Sequence, residues 1–579
     1  MAQNFFDPAE MVPLTGSAEG VRVPFSQSAD SAVRPWDEEV DVVVVGFGAA
    51  GASAAIEASA RGASVLVADR FMGGGATVLS GGIVYLGGGT ELQEKAGYED
   101  TPEEMFRYLS LETKDAVSET VLRAFCEASV GNFEWLRTIG VPLPPSGTVA
   151  KVSYPVADCT LYFSGNEMSP PYSHAARPAP RGHRALGKGI TGGVLFEHLR
   201  KAAESGGAAI HTYTQAKRLI VDADGTVVGV ELRELVGLPR WTRLHQLLFL
   251  LATHVGGLSR GAAVLFQRQL LRLEAAYGVS RSVRVRGGVV LSAGGFIFNP
   301  EMVRRHAPSF VNVSMRLGTA GDSGQGIGLG QSVGAKVAKM DRCTAWRFID
   351  PPVAWLYGVL IGPGGTRICN EHLYGGTIGE RMSEAHGGRG FLVLDAIAMK
   401  ASRTQIVTNR MQLFQRMFGV GNTFFNYKKA ATLEELGRRC GMPDGALPRT
   451  IREYNKGVET GADACGKSDK YLHPVENPPF YAVKLDFDNA RYPTPSMTLG
   501  GLVVDGATAR VVREDGTAID GLYAAGRNAV GVSSHSYVSG LSIADCIFSG
   551  RNAGRHAAAR AGLADSKAPD DRRVRRTTP

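Results

Sequence analysis

Apolar residues in this chain fall into dense runs separated by glycine-rich turns. Directly after Asp41, Val42 to Val45 read as a buried strand, and the chain then passes through Gly46, Gly48 and Gly51 into a small-residue helix that continues from Ala52 to Arg61. A second apolar run, Ala63 to Ala68, predicts a second strand. Helical periodicity follows from about Pro102 to Thr138, a strand pair near Leu219 to Leu232, and a buried strand over Arg286 to Gly295. Far downstream, Leu522 to Arg527 repeats the pattern of an apolar strand ending in small residues. Strand, helix and strand in alternation predict an α/β protein whose sheet draws on distant parts of the sequence.

Two regions depart from this pattern. Residues 234 to 285 interrupt what should be a short strand connection with two apolar stretches, Trp241–Ala252 and Ala262–Leu273, separated by Gly256 and Gly257. They predict a helical hairpin. Arg240, Arg243, Arg260, Arg268 and Arg272 intersperse its apolar positions, which suits a peripheral membrane contact or an oligomer surface as well as packing on the protein itself. Residues 310 to 485 mix helix and strand character, begin with Gly321–Gly326, and read as an inserted cap.

The turn after the first strand carries the candidate chemistry. Gly46 permits a tight turn, Gly48 lets backbone approach a pyrophosphate, and Gly51 allows close helix packing; the helix amides and dipole then favour phosphate charge. Asp69, just past the second strand, stands where a carboxylate can bind both ribose hydroxyls. The glycine-rich segments Gly73–Thr77 and Ser80–Gly82 are expected to wrap the rest of a dinucleotide.

Composition narrows the setting. With 579 residues, 44% hydrophobic and 21% charged, the chain can bury the cores of at least two domains. The net charge of +7 is mild, and part of it lies in the tail at Arg572, Arg573, Arg575 and Arg576, where no aromatic interleaving points to nucleic acid. Seven dispersed cysteines without a CxxC imply neither a disulfide framework nor a metal site. With no signal-type or spanning apolar run, the expected location is cytoplasmic, peripheral to a membrane if the hairpin docks there.

The motifs Gly46–Glu57, Ser80–Thr90, Thr498–Gly501, Gly521–Arg527, Ser536–Ser542 and Phe548–Arg551 together resemble the flavoproteins of the fumarate reductase and succinate dehydrogenase superfamily. The likeness is strongest to the 3-ketosteroid Δ4-(5α)-dehydrogenases, over most of residues 36 to 560. The resemblance implies a Rossmann-like FAD-binding domain, discontinuous in sequence, with an inserted α+β capping domain. Its expected parts are a leader at 1–36, a first FAD-binding part at 37–309, the cap at 310–485, a C-terminal FAD-binding part at 486–562, and a disordered tail at 563–579. FAD is the implied cofactor. Its expected contacts are Gly46, Gly48, Ala50 and Gly51; Asp69 and Arg70; Gly75, Ala76, Thr77, Ser80, Gly81 and Gly82; Ala293, Gly294, Gly295 and Asp322; and Gly526, Arg527, Leu541 and Ser542.

The resemblance also implies catalytic positions. Fumarate reductases carry an arginine acid soon after an Asn-Glu pair, where this chain has Gly375 and Gly376 after Asn370-Glu371, so Arg367 or Arg381 would have to replace it. Ketosteroid dehydrogenases place a tyrosine there, which Tyr374 matches. Tyr537 and Ser539 match the Tyr-x-Ser of the Δ4 type, where Δ1-dehydrogenases carry Tyr-Pro-Gly. Forming a C4–C5 double bond takes C4-H as a proton and C5-H as a hydride to flavin N5. Tyr537 is the expected base with Tyr374 as relay, while Ser539 and the Gly540 amide stabilise the enolate, an effect of about 3 kcal/mol per donor. Electrons must leave to an external acceptor, since no second nicotinamide fingerprint is present. Alternatives are Δ1-dehydrogenation, reduction of an unsaturated acid, and a flavin electron carrier without catalysis. The last has no need of this set of hydroxyls.

Overall fold

A computed structural model describes residues 36–563, apart from Thr148, Ala150, Ala157, residues 236–238 and Arg410. The expected leader up to residue 35 and the tail from residue 564 lie outside the described residues. The core is a mixed, mostly parallel sheet flanked by helices. Its strands run in the spatial order Arg510–Val512, Ala518–Ala524, Val279–Leu291, Glu38–Val45, Val65–Ala68, Ala209–His211. Val43 lies beside Leu66 on one side and Val289 on the other, and Val289 lies beside Leu522, all in parallel register. Buried on both faces, these strands read as unbroken valine and leucine runs, which is why they stood out in the sequence.

The connection between Ala209–His211 and Val279–Leu291 includes an antiparallel ribbon, Thr214–Val221 with Val227–Glu234, which pairs onto the start of the long strand. The strand Val279–Leu291 therefore begins earlier than the sequence pattern indicated, and the helical insertion is confined to Pro239–Leu258 and Arg260–Tyr277. Gly256 and Gly257 are not the turn between these helices. They lie inside the first, and a Cβ on Gly256 would sit 2.9 Å from Ala263, so the small residue sets the helix crossing.

The hairpin's inner side packs on the protein. Phe249 stacks on Phe71 at 4.1 Å between centroids, and Ala252, Leu270 and Ala320 complete that cluster. Next to it the buried Glu274 accepts bonds from Arg70 Nε and Nη2, at 2.8 and 2.9 Å, and from His245 Nε2 at 2.8 Å. Among the described residues no helix is long and apolar enough to cross a membrane.

Residues 359–484 contribute a separate antiparallel sheet, ordered Val359–Ile361, Phe391–Leu394, Phe480–Lys484, Tyr427–Ala430. The stretch just before it belongs elsewhere: Met315–Arg316 and Cys343–Ala345 both pair with Pro495–Thr498. The Gly321–Gly326 turn lies against the core sheet's loops, where the Gly324 amide donates to Gly295 and the Phe298 amide to Asp322. Glu371 anchors the outer sheet. Fully buried, it accepts Arg367 at 2.8 and 3.0 Å, Lys467 at 3.0 Å and the Leu360 amide at 2.9 Å. Burial alone would raise its carboxyl, but Lys467 and Arg367 hold it below the ordinary range. Glu371→Ala is expected to cost about 3–5 kcal/mol, because it leaves the buried Lys467 without a carboxylate and Arg367 with Asp463 alone, and an unchanged thermal unfolding midpoint would refute this.

Candidate active site

One large cavity, about 700 Å³, runs from the C-terminal ends of the core strands toward the outer sheet. At one end the strand Glu38–Val45 turns at Gly46, whose φ of +97° and close approach to Ser292 and Ala293 require glycine. The helix Ala49–Ser59 then begins at Gly48 without a side-chain cap and without an acid in its first turn. Its leading amides face the cavity as an anion site, with the Ala49 amide given to Thr77 Oγ1 at 3.0 Å.

Most of the expected cofactor residues border this cavity: Gly46, Gly48, Ala50, Asp69, Arg70, Gly75, Ala76, Thr77, Ser80, Gly81, Ala293, Gly294, Asp322, Arg527 and Ser542. Five do not. Gly51, Gly82, Gly295 and Gly526 sit where a Cβ would meet Gly46, Thr191, Thr498 and Ala50 respectively, at 1.9, 2.4, 2.4 and 2.9 Å, so they admit neighbouring segments rather than a ligand. Leu541 is fully buried at the start of the C-terminal helix Leu541–Arg560.

Asp69 corrects its expected role. Its carboxylate accepts the amides of Phe47 at 2.8 Å, Phe71 at 2.8 Å and Gly73 at 3.3 Å. A carboxylate offers about four acceptor positions, so two ribose hydroxyls cannot both find room, and the residue serves first to tie the Phe47 turn to its own loop over Phe71 and Gly73. Asp322 works in the same way, accepting the Thr319 and Gly295 amides and Arg527 Nη2 at 2.8, 3.1 and 2.5 Å.

The other end of the cavity holds the expected catalytic residues. Tyr374, Tyr537, Ser539 and Gly540 all border it, in an apolar setting of Trp346, Phe348, Leu317, Phe418, Met497 and Ile83. Their hydrogen bonds regroup the expected roles. The Gly540 amide, at the start of the C-terminal helix, lies 3.3 Å from Tyr537 Oη and donates to it, so Gly540 is paired with Tyr537 and not with Ser539. Ser539 Oγ instead accepts the Tyr162 hydroxyl at 3.0 Å, and it lies near enough to Tyr374 to favour the charged form of that phenol against the effect of burial. The Tyr537 ring stacks on Trp346, 5.1 Å between centroids.

Burial pushes all three phenols up. Tyr537 reaches about 12, with the Gly540 amide pulling the other way, while Tyr162 and Tyr374 rise well above the ordinary value. All are neutral donors near pH 7.

Two contributors had no sequence motif to announce them. Tyr162 comes from the short strand Leu161–Tyr162, 377 positions from Ser539. Asn166 accepts the Tyr374 amide at 2.6 Å and donates to Glu112 and Thr377, each at 2.7 Å, fixing Tyr374 at the head of the helix Gly375–His386. Neither arginine offered as a substitute acid borders the cavity, and Arg367 is held by Glu371 and Asp463.

A dinucleotide cradle opening onto a buried hydroxyl cluster defines a nucleotide-cofactor oxidoreductase. Residues 41–543 match the family described as FAD binding domain, and the chain belongs to it: it is a flavoprotein oxidoreductase. It is 35% identical over 501 residues to the 3-oxo-5-alpha-steroid 4-dehydrogenase of Comamonas testosteroni, covering 85% of this chain and 93% of that one. The crystal structure of 3-ketosteroid-delta4-(5alpha)-dehydrogenase from Rhodococcus jostii RHA1, in complex with 4-androstene-3,17-dione, superimposes with a TM-score of 0.75 at 32% identity, covering 91% and 98% of the two chains. A 3-oxosteroid 1-dehydrogenase of Mycolicibacterium smegmatis is more distant, at 25% identity over 86% of this chain and 94% of its own.

The residues present fit FAD. The uncapped helix start at Gly48 suits a pyrophosphate, and Arg527, at the cavity wall, keeps Nη1 buried without a partner among the described residues.

Proposed function

We propose that this flavoprotein introduces the C4–C5 double bond of a 3-ketosteroid, passing electrons to an external acceptor. A cap built on the outer antiparallel sheet of residues 359–484, shorter at its start than the expected 310–485, would complete its substrate site. The observation that carries this reading is the division of the hydroxyls into two groups at the apolar end of the cavity: Tyr537 with the Gly540 amide, and Ser539 with Tyr162, with Tyr374 bordering the same cavity. Bound FAD supplies the hydride acceptor.

The first group suits the C3 ketone. A phenol whose oxygen accepts a helix-start amide keeps its own O–H free, and that O–H, polarised by the amide behind it, is placed to donate to the C3 oxygen as enolate charge gathers there. The second group suits the C4 proton. A hydroxyl that takes this proton would pass its own to a neighbouring hydroxyl, which in turn would release one to solvent, so no standing phenolate is needed. The roles of Tyr537 and Ser539 are thus exchanged relative to the sequence expectation, with the same residues engaged. Trp346, Phe348, Leu317 and Met497 exclude water and offer a fused-ring hydrocarbon an apolar wall.

The reaction class is tested by mixing the oxidised holoenzyme anaerobically with a 5α-reduced 3-ketosteroid, a 4-ene-3-ketosteroid and an unsaturated dicarboxylic acid. Loss of flavin colour with the 5α-steroid and a 4-ene product are expected. A 1-ene product, or no bleaching by any 3-ketosteroid, would reject the reading.

A further inference from the structure

The helix Leu413–Phe425 carries its hydrophobic stripe on the wrong side for a globular protein. Gln415, Phe418 and Gly419 face the cavity, whereas Leu413, Met417, Val420 and Phe424, at helical spacings of three and four, face outward. Leu413 is 75% exposed and Met417 66%. The first hairpin helix does the same at another part of the cavity wall: His254, Gly257 and Leu258 line it, and Leu258 stands 63% exposed. Ile190 and Leu79 are further exposed apolar residues of that wall. The cavity therefore opens through an apolar rim built from separate parts of the chain.

Charge selects the occupant of this rim. Residues 239–273 and 396–425 contain nine arginines and lysines and not one aspartate or glutamate. Arg240, Arg243, Arg268, Arg272, Lys400 and Arg416 are exposed, and among the described residues none of them pairs with a carboxylate. A self-complementary contact with a second copy would set these cations against one another. An anionic bilayer surface meets both demands, accepting the apolar side chains among its acyl chains and attracting the cations to its headgroups. We propose that the outward face of Leu413–Phe425, together with the outer side of the hairpin, docks the protein peripherally on an anionic lipid surface, with the cavity mouth against the bilayer. An apolar substrate dissolved in the lipid then enters without crossing water.

The surface is independent of the steroid reading, because lipid binding is measured without turnover. Holoenzyme is sedimented with vesicles of equimolar phosphatidylcholine and phosphatidylglycerol, and with vesicles of phosphatidylcholine alone. The wild type is expected to pellet with the anionic vesicles. A variant combining Leu413→Ser, Met417→Ser, Val420→Ser and Phe424→Ser should lose at least about tenfold in affinity, or 1.4 kcal/mol, with flavin content retained. A second variant, Arg240→Gln with Arg243→Gln and Arg416→Gln, should lose binding to the anionic vesicles and flatten its salt dependence. Failure of the wild type to pellet, undiminished pelleting of both variants, or conversion of a wild-type dimer to monomer by the serine substitutions would overturn the proposal.

Discussion

Tyr537→Phe is expected to lower kcat by roughly 10²–10³, the usual cost of one oxyanion donor, while KM changes little. The ring keeps its place on Trp346, so the variant removes one O–H and little else. A ketone accepts that bond weakly in the ground state and strongly as its oxygen becomes an enolate, which puts the loss on kcat.

The pH profile separates the two roles open to this phenol. Burial pushes Tyr537 up to about 12. As a donor it is competent throughout the neutral and mildly alkaline range, and wild-type kcat should carry no rise belonging to its ionisation. As a base it would give a rate that climbs with pH toward that value. Ser539→Ala should be comparably damaging, because it removes the hydroxyl that Tyr162 is bonded to and that stands beside Tyr374 in the cavity. Adding Tyr374→Phe to Ser539→Ala should cost little more, since groups that act as one unit are strongly non-additive. Full additivity, or unimpaired turnover by Tyr537→Phe, would dismiss the assigned roles.

The parts legible in the sequence are those made by neighbours along the chain. The turn at Gly46, the helix after it and the strand before it are local, and their geometry dictates residue types at fixed spacing. Tyr374, Tyr537 and Ser539 were reachable through motif resemblance, and the cavity brings them together. Their partnerships were not reachable. Whether the Gly540 amide serves Tyr537 or Ser539 depends on how one turn is aimed, and Tyr162 enters from a strand pair whose register involves Gly182 and His183.

Asp69 shows a different limit. A carboxylate at a strand end fits both a ribose and a set of loop amides, and only the three-dimensional course of Phe47, Phe71 and Gly73 decides between them. The hairpin's apolar positions, with arginines between them, suit a membrane contact, an oligomer surface or packing on the protein alike, and the structure divides its two faces, with Phe249 and Leu270 inward and Leu247 and Leu265 outward. Periodicity shows that a helix has an apolar stripe without saying what lies against it. The apolar stripe of Leu413–Phe425 is likewise exposed; burial is not written in the stripe itself.

Gly51→Ala is expected to yield protein almost devoid of flavin. A methyl there would lie 1.9 Å from the Gly46 carbonyl oxygen and 2.8 Å from Ser292 Oγ, with the first obstacle being backbone that no rotamer change relieves. Relief requires the helix Ala49–Ser59 to slide from the end of the strand Glu38–Val45, taking its leading amides away from the pyrophosphate they are placed to hold. Overpacking of this kind typically costs 1–3 kcal/mol, and occasionally more, so the fold can survive while the cradle does not. Flavin per protein should fall at least about tenfold, which is about 1.4 kcal/mol of lost binding. Gly328→Ala is the matched control. It lies on the exposed side of the helix Gln325–Ser332 with open space around its Cβ, and should leave flavin content intact while gaining up to about 1 kcal/mol of helix stability. If Gly51→Ala purified with a full complement of FAD, the close contact between this helix and the Gly46 turn would not be what positions the cofactor.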